Sequence, residues 1–580
     1  MYTYFVNAKC YVFVVQKRKI EYNKFNMIFG GGKMKLVIAC LNSKYIHASL
    51  SPWCLLAGVR EFCKSDIDAV VVESTINADL DKFIAGIPTA DIYAFSCYIW
   101  NVEQTLYVCR KLKEKYNAKI ILGGPEVAYR ADDILNKYDY IDFVLSGEGE
   151  FNFPKLVDAI NSERNLDCVD GLTYRKNNEI LSNPEAVYTA TPPSPYSQEF
   201  FDSLNGRICY IETSRGCPYR CAFCLSGRCG GLRFFDMDTT KQNIILLANS
   251  GTKTIKFVDR TFNANYKRAN EILLFIKENY GTKIPDGVCF HFEIAGDILH
   301  PETLAILSQM PQRSVQLEIG MQSFNEETLK RINRKTDTQK LIKNIKTLLG
   351  FNNMHIHIDL IAGLTGEDLL SFKNSFNIGY NLHAHMLQMG FLKLLYGSDM
   401  RDHQDKYPCE YSAKPPYEVT STPWLNANEI LQLKNCEDAL ERLYNSGRFL
   451  LTLDYLINEI KIEPFDLFFE FGNEVCGNKL SLSLYTKKLY DFFKDKCNSE
   501  ILREKIVCDL LCSGCEKHIP DTLKIKDPLY KKVKADLSEK LGNDFAFAIV
   551  YSKNKIFAVK PDEPKDLFGR KAGVYLNINQ

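Results

Sequence analysis

The sequence predicts an α/β protein in three parts: a doubly wound parallel sheet, six strand–helix units that form an open barrel, and a mostly helical C-terminal region that ends in a β-hairpin. Two observations predict the first two parts. Short apolar segments alternate with amphipathic helical segments from Lys35 to about Ser162, and the same alternation resumes at Ile208. Buried strands that alternate with helices pair into parallel sheets. The third observation is that the alternation stops after Tyr396.

The composition is that of a folded protein and argues against several functional classes. Of the 580 residues, 46% are hydrophobic and 25% are charged, which is ordinary for a globular chain. The net charge of +1 gives no strong signal for nucleic-acid binding. No apolar run reaches the ~18 residues of a membrane-spanning helix, and the first residues lack the order of a secretory signal. We expect a cytoplasmic protein whose 20 cysteines are reduced, which raises the question of a metal or cluster site.

Residues 1–33 look unlike the rest of the chain and end in FGGGK, directly before Met34. We interpret Met34 as the true start, because consecutive glycine codons upstream of a methionine resemble a ribosome-binding site read as protein. The alternative is a short ordered arm on the first domain.

The first domain, at residues 34–165, contains strands and helices in alternation. We expect strands at 35–40, 69–72, 92–95, 119–122 and 143–145, and helices at 52–63 and 101–115. Two strands end in glycine-rich turns, Gly123-Gly124-Pro125 and SGEGE at 146–150. Doubly wound sheets bind ligands beyond the carboxyl ends of their strands, so both turns are candidate binding elements.

A linker at 166–206 separates this domain from the barrel, and its Pro192, Pro193 and Pro195 argue against regular structure. The barrel occupies 207–400, with strands expected at 208–212, 254–258, 289–293, 314–318, 355–360 and 387–394. Six units make a partial (β/α)6 barrel of the TIM type, whose site lies at the C-terminal strand ends. The accessory domain, 401–580, is helical over 426–540, and 545–552 with 556–560 form the terminal hairpin.

The strongest chemical signal is a three-cysteine loop that follows the first barrel strand. Cys217, Cys221 and Cys224 have the spacing C-x3-C-x2-C, and Gly216 and Pro218 keep the segment a loop. Thiolates bind zinc or an iron–sulfur cluster. Three thiolates on a four-iron cluster leave one iron open for a substrate or cofactor. The alternatives are three unrelated thiols or a zinc site, to which Cys229 would supply a fourth ligand.

This loop, CPYRCAFC, resembles the radical S-adenosylmethionine (SAM) superfamily. The resemblance covers about 207–400. It implies that Cys217, Cys221 and Cys224 ligate a [4Fe–4S] cluster whose open iron binds SAM, and that one electron then cleaves SAM to a 5′-deoxyadenosyl radical. Phe223 occupies the aromatic position that packs near the adenine in this superfamily.

Four further segments match the superfamily in chain order, each at the end of a barrel strand. The resemblance implies that Asp259 or Arg260 pairs with the methionine end of SAM, that Glu293 contacts the ribose, and that Gln322 and Ser323 lie in the ribose-contacting segment. Gly363 lies in the adenine-contacting segment, where a glycine lets the backbone approach the ring. The alternatives are an ordinary strand-end turn for Asp259 and Arg260 and a surface salt bridge for Glu293.

The first domain resembles the Rossmann-like cobalamin (B12)-binding domain that is fused to one large class of these enzymes. His47, Ser96, Gly123 and Gly124 are the residues that match. The glycines let a large flat ligand approach the backbone, and Ser96 is placed to bind a polar ring substituent. The motif D-x-H-x-x-G, whose histidine ligates cobalt in free-standing domains, is absent. The alternatives are a degenerate domain that binds no cobalamin and, for His47, a hydrogen-bonded loop histidine.

A second C-x3-C-x2-C spacing occurs at Cys508, Cys512 and Cys515, within an expected helix. These cysteines are interpreted either as ligands of an auxiliary cluster or as ordinary free thiols. The segment lacks the Gly-Cys-Pro loop of the first motif, which favours free thiols.

The resemblance implies an enzyme with a [4Fe–4S] cluster, SAM and cobalamin as cofactors, which methylates an unreactive carbon of an unknown substrate. It also implies an external electron donor such as flavodoxin or ferredoxin. One alternative is an RNA methylthiotransferase, which needs three cysteines in its first domain. Cys40 lies at one suitable position, but Gly123-Gly124-Pro125 replaces another. The second alternative is a non-catalytic cobalamin or redox sensor.

Overall fold

The computed structural model describes residues 33–162, 165–228, 231–477, 480–525, 527–541 and 544–578. The segment 1–32, on which the hypothesis about Met34 depends, lies outside the described residues. The described residues form a seven-stranded sheet, then a six-stranded parallel sheet, then a helical region with a three-stranded antiparallel sheet. This is the predicted α/β architecture.

The first sheet has the strand order β2-β1-β3-β4-β5-β6-β7, in which β1 to β5 run parallel. Its strands are β1 (Met34–Asn42), β2 (Ile67–Thr75), β3 (Ile92–Ser96), β4 (Lys119–Gly123), β5 (Phe143–Leu145), β6 (Leu172–Lys176) and β7 (Glu179–Ser182). Its helices are α1 (Ser51–Phe62), α2 (Leu80–Gly86), α3 (Val102–Tyr116), α4 (Pro125–Ala128), α5 (Ala131–Lys137) and α6 (Gly149–Asn161). Alternate residues of β1 belong to two separate apolar clusters, so the sheet is covered on both faces. The strand order reverses between β1 and β3, the point where such sheets bind ligands.

The connector between the first sheet and the barrel is shorter than the sequence predicts. Within 166–206, β6 and β7 extend the first sheet antiparallel to β5, and α7 (Gln198–Leu204) precedes the barrel. A tight turn between β6 and β7 suffices for this pairing, and the prolines come only after it. The stretch 183–197, which contains the prolines, has no helix or strand, because proline cannot donate a backbone hydrogen bond.

All six predicted barrel strands are present, parallel, and ordered as in the chain. They are β8 (Cys209–Ile211), β11 (Thr254–Phe257), β12 (Cys289–Ile294), β13 (Val315–Gln322), β14 (His355–Ala362) and β15 (Met386–Phe391). A small pair, β9 (Ser214–Arg215) and β10 (Arg233–Phe234), flanks the cysteine loop. The helices are α8 (Met237–Ala248), α9 (Tyr266–Asn279), α10 (Pro301–Leu307), α11 (Glu326–Arg331), α12 (Thr338–Phe351) and α13 (Leu369–Tyr380).

The C-terminal region is mostly helical, as predicted. Its helices are α14 (Asp399–Asp402), α15 (Ala427–Leu440), α16 (Leu450–Asp454), α17 (Pro464–Val475), α18 (Leu482–Phe493), α19 (Ser499–Cys512) and α20 (Leu529–Leu541). The segments Glu441–Asn445 and Tyr455–Glu459 are π-helical. A short hairpin of β16 (Glu410–Tyr411) and β17 (Val419–Ser421) lies between α14 and α15.

The terminal hairpin is present as β18 (Ala546–Val550) and β19 (Lys555–Val559). A third strand, β20 (Gly573–Asn577), pairs with β19 and completes a three-stranded sheet that the sequence pattern did not predict. In the part of the chain that the structure describes, no helix combines the length and the apolar character needed to cross a membrane.

Candidate active site

One cavity of about 990 Å³ lies between the first sheet and the barrel. Its walls come from the turns that follow β1, β3, β4 and β5, from the beginning and end of the cysteine loop, and from residues just after β15. Of the residues that the sequence singles out, His47, Ser96, Gly123, Gly124 and Arg260 line this cavity. The carboxyl ends of the strands in both domains therefore face one shared space.

The glycines after β4 let the backbone form a close, exposed wall. Gly124 has φ +100°, and a Cβ at this position would lie 2.5 Å from the carbonyl oxygen of Cys97. A side chain at Gly124 would therefore be strained twice, by its backbone conformation and by the neighbouring strand. At Gly123 and Gly124 the wall presents backbone without side chains, which fits the close approach of a large planar ligand.

Two stacked aromatic rings, which the sequence analysis missed, form another part of this wall. The rings of Tyr98 and Trp100 lie 4.5 Å apart and are inclined by 5°. Both residues come directly after β3, beyond the predicted ligand-binding edge of the sheet. Two aromatic residues at a strand end were a readable signal in the sequence.

His47 is held by the barrel. Its Nδ1 lies 2.6 Å from the hydroxyl oxygen of Tyr210 on β8, and its backbone pairs with Ile208. Burial, with the nearby charges of Lys256 and Lys44, lowers the pKa of His47 to about 4, so the ring is neutral at physiological pH. The ring is thus a hydrogen-bonded interdomain contact at the cavity wall.

The three cysteines of the loop lie on one tight turn next to an arginine. Gly216 has φ +95°, and a Cβ there would overlap the carbonyl oxygen of Gly231, so the turn requires glycine. The thiol of Cys217 lies 3.3 Å from Thr261 Oγ1, and Arg334 Nη1 donates to Cys221 Sγ over 3.7 Å. Three free thiols beside a cationic guanidinium fit an iron–sulfur cluster, whose thiolate ligands are anionic.

Arg334 lies on the loop after α11 and was not singled out from the sequence. Cys229, which was considered as a fourth ligand, lies outside the described residues. Phe223 is 5% exposed and packs into the barrel core, and it does not line the cavity.

The prediction that Asp259 pairs with a ligand is not supported by its contacts. Asp259 is 2% exposed and accepts hydrogen bonds from the backbone and hydroxyl of Thr213 and from the hydroxyl of Ser214. Burial raises the pKa of Asp259 to about 6. The carboxyl ties the strand before the cysteine loop to β11, and three of its hydrogen bonds are made within the protein.

Arg260, which lines the cavity, faces Glu293 of β12. Arg260 Nη1 lies 3.9 Å from Glu293 Oε2, and Lys256 Nζ lies 3.9 Å from Glu293 Oε1. Both Arg260 and Glu293 are partly exposed, which leaves them accessible to a ligand.

The side chains of Gln322 and Ser323 differ in their hydrogen bonding. Gln322 ends β13 with φ +69° at a register shift, and its Oε1 is buried with no hydrogen-bond partner among the described residues. Ser323 is 1% exposed, and its hydroxyl donates to Glu367 Oε1 over 2.6 Å. Ser323 is therefore committed to the protein interior, contrary to its predicted place at the cofactor.

Gly363 ends β14 with φ +85°, and a Cβ there would lie 2.7 Å from the side chain of Val419 on β17. The described structure thus explains this glycine by its backbone conformation and by the packing of the β16–β17 hairpin.

A charged cluster joins the two domains beside the cysteine loop. Arg215, two residues before Cys217, donates to Glu148 Oε2 over 2.5 Å and to Glu150 Oε1 over 2.8 Å, and it also binds Glu212. Arg233 donates to the same oxygen of Glu148 over 2.7 Å. The SGEGE turn of the first domain is therefore joined by ion pairs to the strand that leads into the cysteine loop. The sequence alone does not predict this contact.

The second cysteine triplet packs as ordinary core. Cys508 and Cys512 are 2% and 4% exposed on α19, in an apolar cluster with Val550, Phe557 and Val559. Burial raises the pKa of both thiols, which keeps them protonated. Their surroundings are those of buried free thiols.

Three family models match the chain in separate regions. A B12 binding domain matches residues 37–157, the radical SAM superfamily matches 211–376, and a protein family of unknown function, DUF4080, matches 405–555.

Two curated methyltransferases resemble the chain over 340 residues at 27% identity. One is the 2-(S-pantetheinyl)-carbapenam-3-carboxylate methyltransferase of Streptantibioticus cattleyicolor, and the other is the cobalamin-dependent radical SAM methyltransferase TokK of Streptomyces tokunonensis. Each match covers 53% of this chain, and it covers 46% and 47% of the two relatives, so the chain spans about half of their length.

Among solved structures, the cobalamin-dependent SAM radical enzyme OxsB, with aqua-cobalamin and SAM bound, has a similar fold. The TM-score is 0.57 at 14% identity, over 88% of this chain and 81% of that one. The barrel of this chain therefore belongs to the radical SAM superfamily, and a B12-binding domain precedes it.

Proposed function

We propose that the protein is a radical SAM enzyme that binds a [4Fe–4S] cluster, SAM and cobalamin and transfers a methyl group to an unreactive carbon of its substrate. The observation that carries this proposal is the shared cavity, which the ligand-binding edge of the B12-binding domain and the cysteine loop enclose together. The two methyltransferase relatives, each of which matches over 340 residues, support the choice of reaction.

The cysteine loop would hold the cluster through Cys217, Cys221 and Cys224. When bound, the cluster and SAM supply radical chemistry, and cobalamin supplies a methyl carrier. The chain's own residues would orient these groups. Arg334 places a positive charge beside Cys221, and Arg260 at the cavity wall and Glu293 behind it offer opposite charges. Phe223, Gln322 and Gly363 remain candidates for the SAM site.

The wall after β3 and β4 would receive the cobalamin ring. Gly123 and Gly124 present their backbone to it, Tyr98 and Trp100 offer an apolar stacked surface, and Ser96 lies beside them in the same wall. Because the D-x-H-x-x-G motif is absent and Tyr210 holds the ring of His47 against the barrel, we propose that His47 positions the two domains and does not ligate cobalt.

Specific observations disfavour the two alternatives. A methylthiotransferase needs three cluster thiols in the first domain. Cys40 is 1% exposed there, and burial raises its pKa to about 12, which keeps it a thiol. A non-catalytic sensor does not require a three-cysteine loop next to the ligand cavity.

The reaction requires one electron from an external donor, for which flavodoxin or ferredoxin is our proposal. We also propose a cytoplasmic location, since all 18 cysteines of the described part of the chain are free. The domain limits 34–165, 207–400 and 401–580 form part of the same proposal.

The test is anaerobic reconstitution with iron, sulfide and hydroxocobalamin, followed by removal of unbound ligand. We expect an absorption spectrum with bound cobalamin and reductant-dependent release of 5′-deoxyadenosine, and we expect the C217A/C221A/C224A variant to release none. Deoxyadenosine without bound cobalamin would contradict the role of the first domain. If protein that carries a full cluster gives neither bound cobalamin nor 5′-deoxyadenosine, that result would contradict the catalytic proposal.

A further inference from the structure

The inward face of the barrel carries charged side chains where a packed barrel carries branched apolar ones. The set, here called the lumen cluster, comes from four adjacent strands, β11 to β14, and its side chains are 3% to 22% exposed. It consists of Lys256, His291, Glu293, Glu318, His357 and Asp359. Buried ion pairs are weak contributors to stability, so folding alone does not account for such a cluster.

Glu318 is the centre of the cluster. Its Oε2 lies 3.2 Å from Lys256 Nζ and 2.9 Å from His291 Nε2. Burial favours the neutral form of this carboxyl, but the charge of Lys256 and the hydrogen bond to His291 outweigh burial and hold the pKa of Glu318 well below its usual range. Burial and the same lysine lower the pKa of His291, so its ring is neutral.

His357 is the member of the cluster whose bonding is incomplete. It is 2% exposed, and its Nε2 lies 2.8 Å from Asp359 Oδ1. The contact is an ion pair without the alignment of a hydrogen bond, and neither ring nitrogen has a hydrogen-bond partner among the described residues. Donor atoms of Glu318, His357 and Asp359 lie within 4.8 Å of one another. The ring therefore lies between two carboxylates that favour its charged form.

The charges of the lumen balance only if His357 is protonated. Burial opposes the charge, but Asp359 and Glu318 outweigh burial and raise the pKa of His357 to about 9. Three cations then face three carboxylates. The groups that face one another are Lys256 from β11, His291 and Glu293 from β12, Glu318 from β13, Asp359 from β14 and Arg260 from the loop after β11.

A cationic ligand at the open end of this lumen would leave one uncompensated positive charge at low dielectric, which is costly. Among the cations, lysine and arginine hold their protons most firmly, and His357 loses its proton most readily. Asp359 and Glu293, at 17% and 22% exposure, are the carboxylates that such a ligand reaches first.

We propose that the lumen cluster binds the cationic group of its ligand in exchange for the proton of His357. The N–H bond of the imidazolium breaks, the electron pair stays on the ring nitrogen, and the proton passes to solvent. The ligand class is a small molecule with a sulfonium or ammonium group. This inference rests on the proposed function, because SAM is the probe that carries both groups.

Proton release on binding fixes the sign of the pH dependence. The affinity for SAM rises with pH while His357 is protonated, and it levels off above pH ~9, where the ring is already neutral. His357→Gln, which has no proton to release, removes this dependence.

The experiment is isothermal calorimetry of SAM binding at pH 8 to anaerobic protein with an intact cluster, in two buffers of different ionisation enthalpy. We expect the wild type to release about one proton per SAM bound more than His357→Gln releases. Any proton that the amino group of SAM loses when it binds the iron is released equally by both proteins and cancels in this difference. His403→Gln is the matched control, because His403 is 57% exposed and far from the lumen cluster in sequence, and it is expected to behave as wild type. Glu318→Gln, which removes one carboxylate that raises the pKa of His357, is expected to release less than the wild type.

S-adenosylhomocysteine, which lacks the sulfonium charge, identifies the group that is exchanged. A difference in proton release between wild type and His357→Gln that occurs with SAM alone assigns the sulfonium. The same difference with both ligands assigns the ammonium. Equal proton release in wild type and His357→Gln, or no release from the wild type, overturns the inference and leaves the proposed function intact. Absence of SAM binding to protein with a full cluster overturns both.

Discussion

At the scale of single residues, several polar side chains at the strand ends hold the backbone of the site. Asp259 binds Thr213 and Ser214, and Ser323 binds Glu367. Each forms hydrogen bonds inside the protein, which satisfies a buried polar group that would otherwise destabilise the fold. These side chains therefore stabilise the backbone and neighbouring side chains at the strand ends.

The effect of such a buried group on stability can be measured at Glu367. It is fully buried, and burial raises its pKa to about 7. A carboxyl whose pKa is higher in the folded state binds its proton more tightly there, so its contribution to stability is lost as pH rises from about 4.5 to about 7. We expect Glu367→Gln, which stays neutral, to be more stable than the wild type at pH 8 by about 3 kcal/mol and equal to it near pH 4.

The measurement is thermal unfolding of both proteins across this pH range. Glu327→Gln serves as control, because Glu327 on α11 has 58% of its side chain exposed and lies outside the buried contacts of Glu367. A wild type and a Glu367→Gln variant with parallel pH profiles would refute a raised pKa for Glu367.

Arg215 links the first domain to the cysteine loop, and we expect its removal to lower the free energy of unfolding. Removal leaves Glu148, Glu150 and Glu212 without their shared cation, and breaking a buried pair costs about 3–5 kcal/mol. We expect Arg215→Gln to lower the melting temperature and to weaken cobalamin retention. Arg60→Gln, which breaks an exposed pair with Glu199, should change stability by less than about 1 kcal/mol. Equal melting temperatures for the two variants would contradict this role.

At the scale of elements, the turn between β4 and α4 shapes the cavity wall. Gly124→Ala forces a Cβ to within 2.5 Å of the Cys97 carbonyl and strains a left-handed backbone. We expect the variant to retain its cluster and to lose most of its bound cobalamin, as judged by absorption after gel filtration. Gly86→Ala is the control, since nothing lies within 4 Å of its Cβ. Full cobalamin retention by Gly124→Ala would show that this turn is not the binding wall.

The elements that the sequence predicts well are those with a local signal. The strands of both parallel sheets and the cysteine loop follow from apolar runs and from spacing. The strands β6, β7 and β20 depend on pairing with distant segments, which a short, weakly apolar stretch does not reveal. For the same reason, the network of Arg215 and the lumen cluster were missed, because only the fold brings their members together.

Site residues show the same limit. A strand-end Asp or Ser looks alike in sequence whether it faces a ligand or forms hydrogen bonds within the protein, and Asp259 and Ser323 do the latter. The resemblance to a family gives each position a role, but the role depends on neighbours such as Thr213 and Glu367 that no local pattern identifies.

At the scale of the whole molecule, all three regions meet at one cavity. Pro415 and Pro416, within the region that matches DUF4080, line the cavity together with the first domain and the cysteine loop. Tyr417 donates to Glu126, which directly follows the Gly124-Pro125 turn, and Glu126 also binds Arg130. The third region therefore contributes to the wall and holds it against the first domain.

The central claim is that cobalamin and the cluster are held around this one cavity. The most direct test is pulsed electron paramagnetic resonance of reconstituted protein that contains cob(II)alamin and the reduced cluster. The account predicts a magnetic interaction between the two spins, present in the wild type and absent from C217A/C221A/C224A protein. Two bound centres with no measurable interaction, or a cluster-bearing protein that retains no cobalamin, would contradict it.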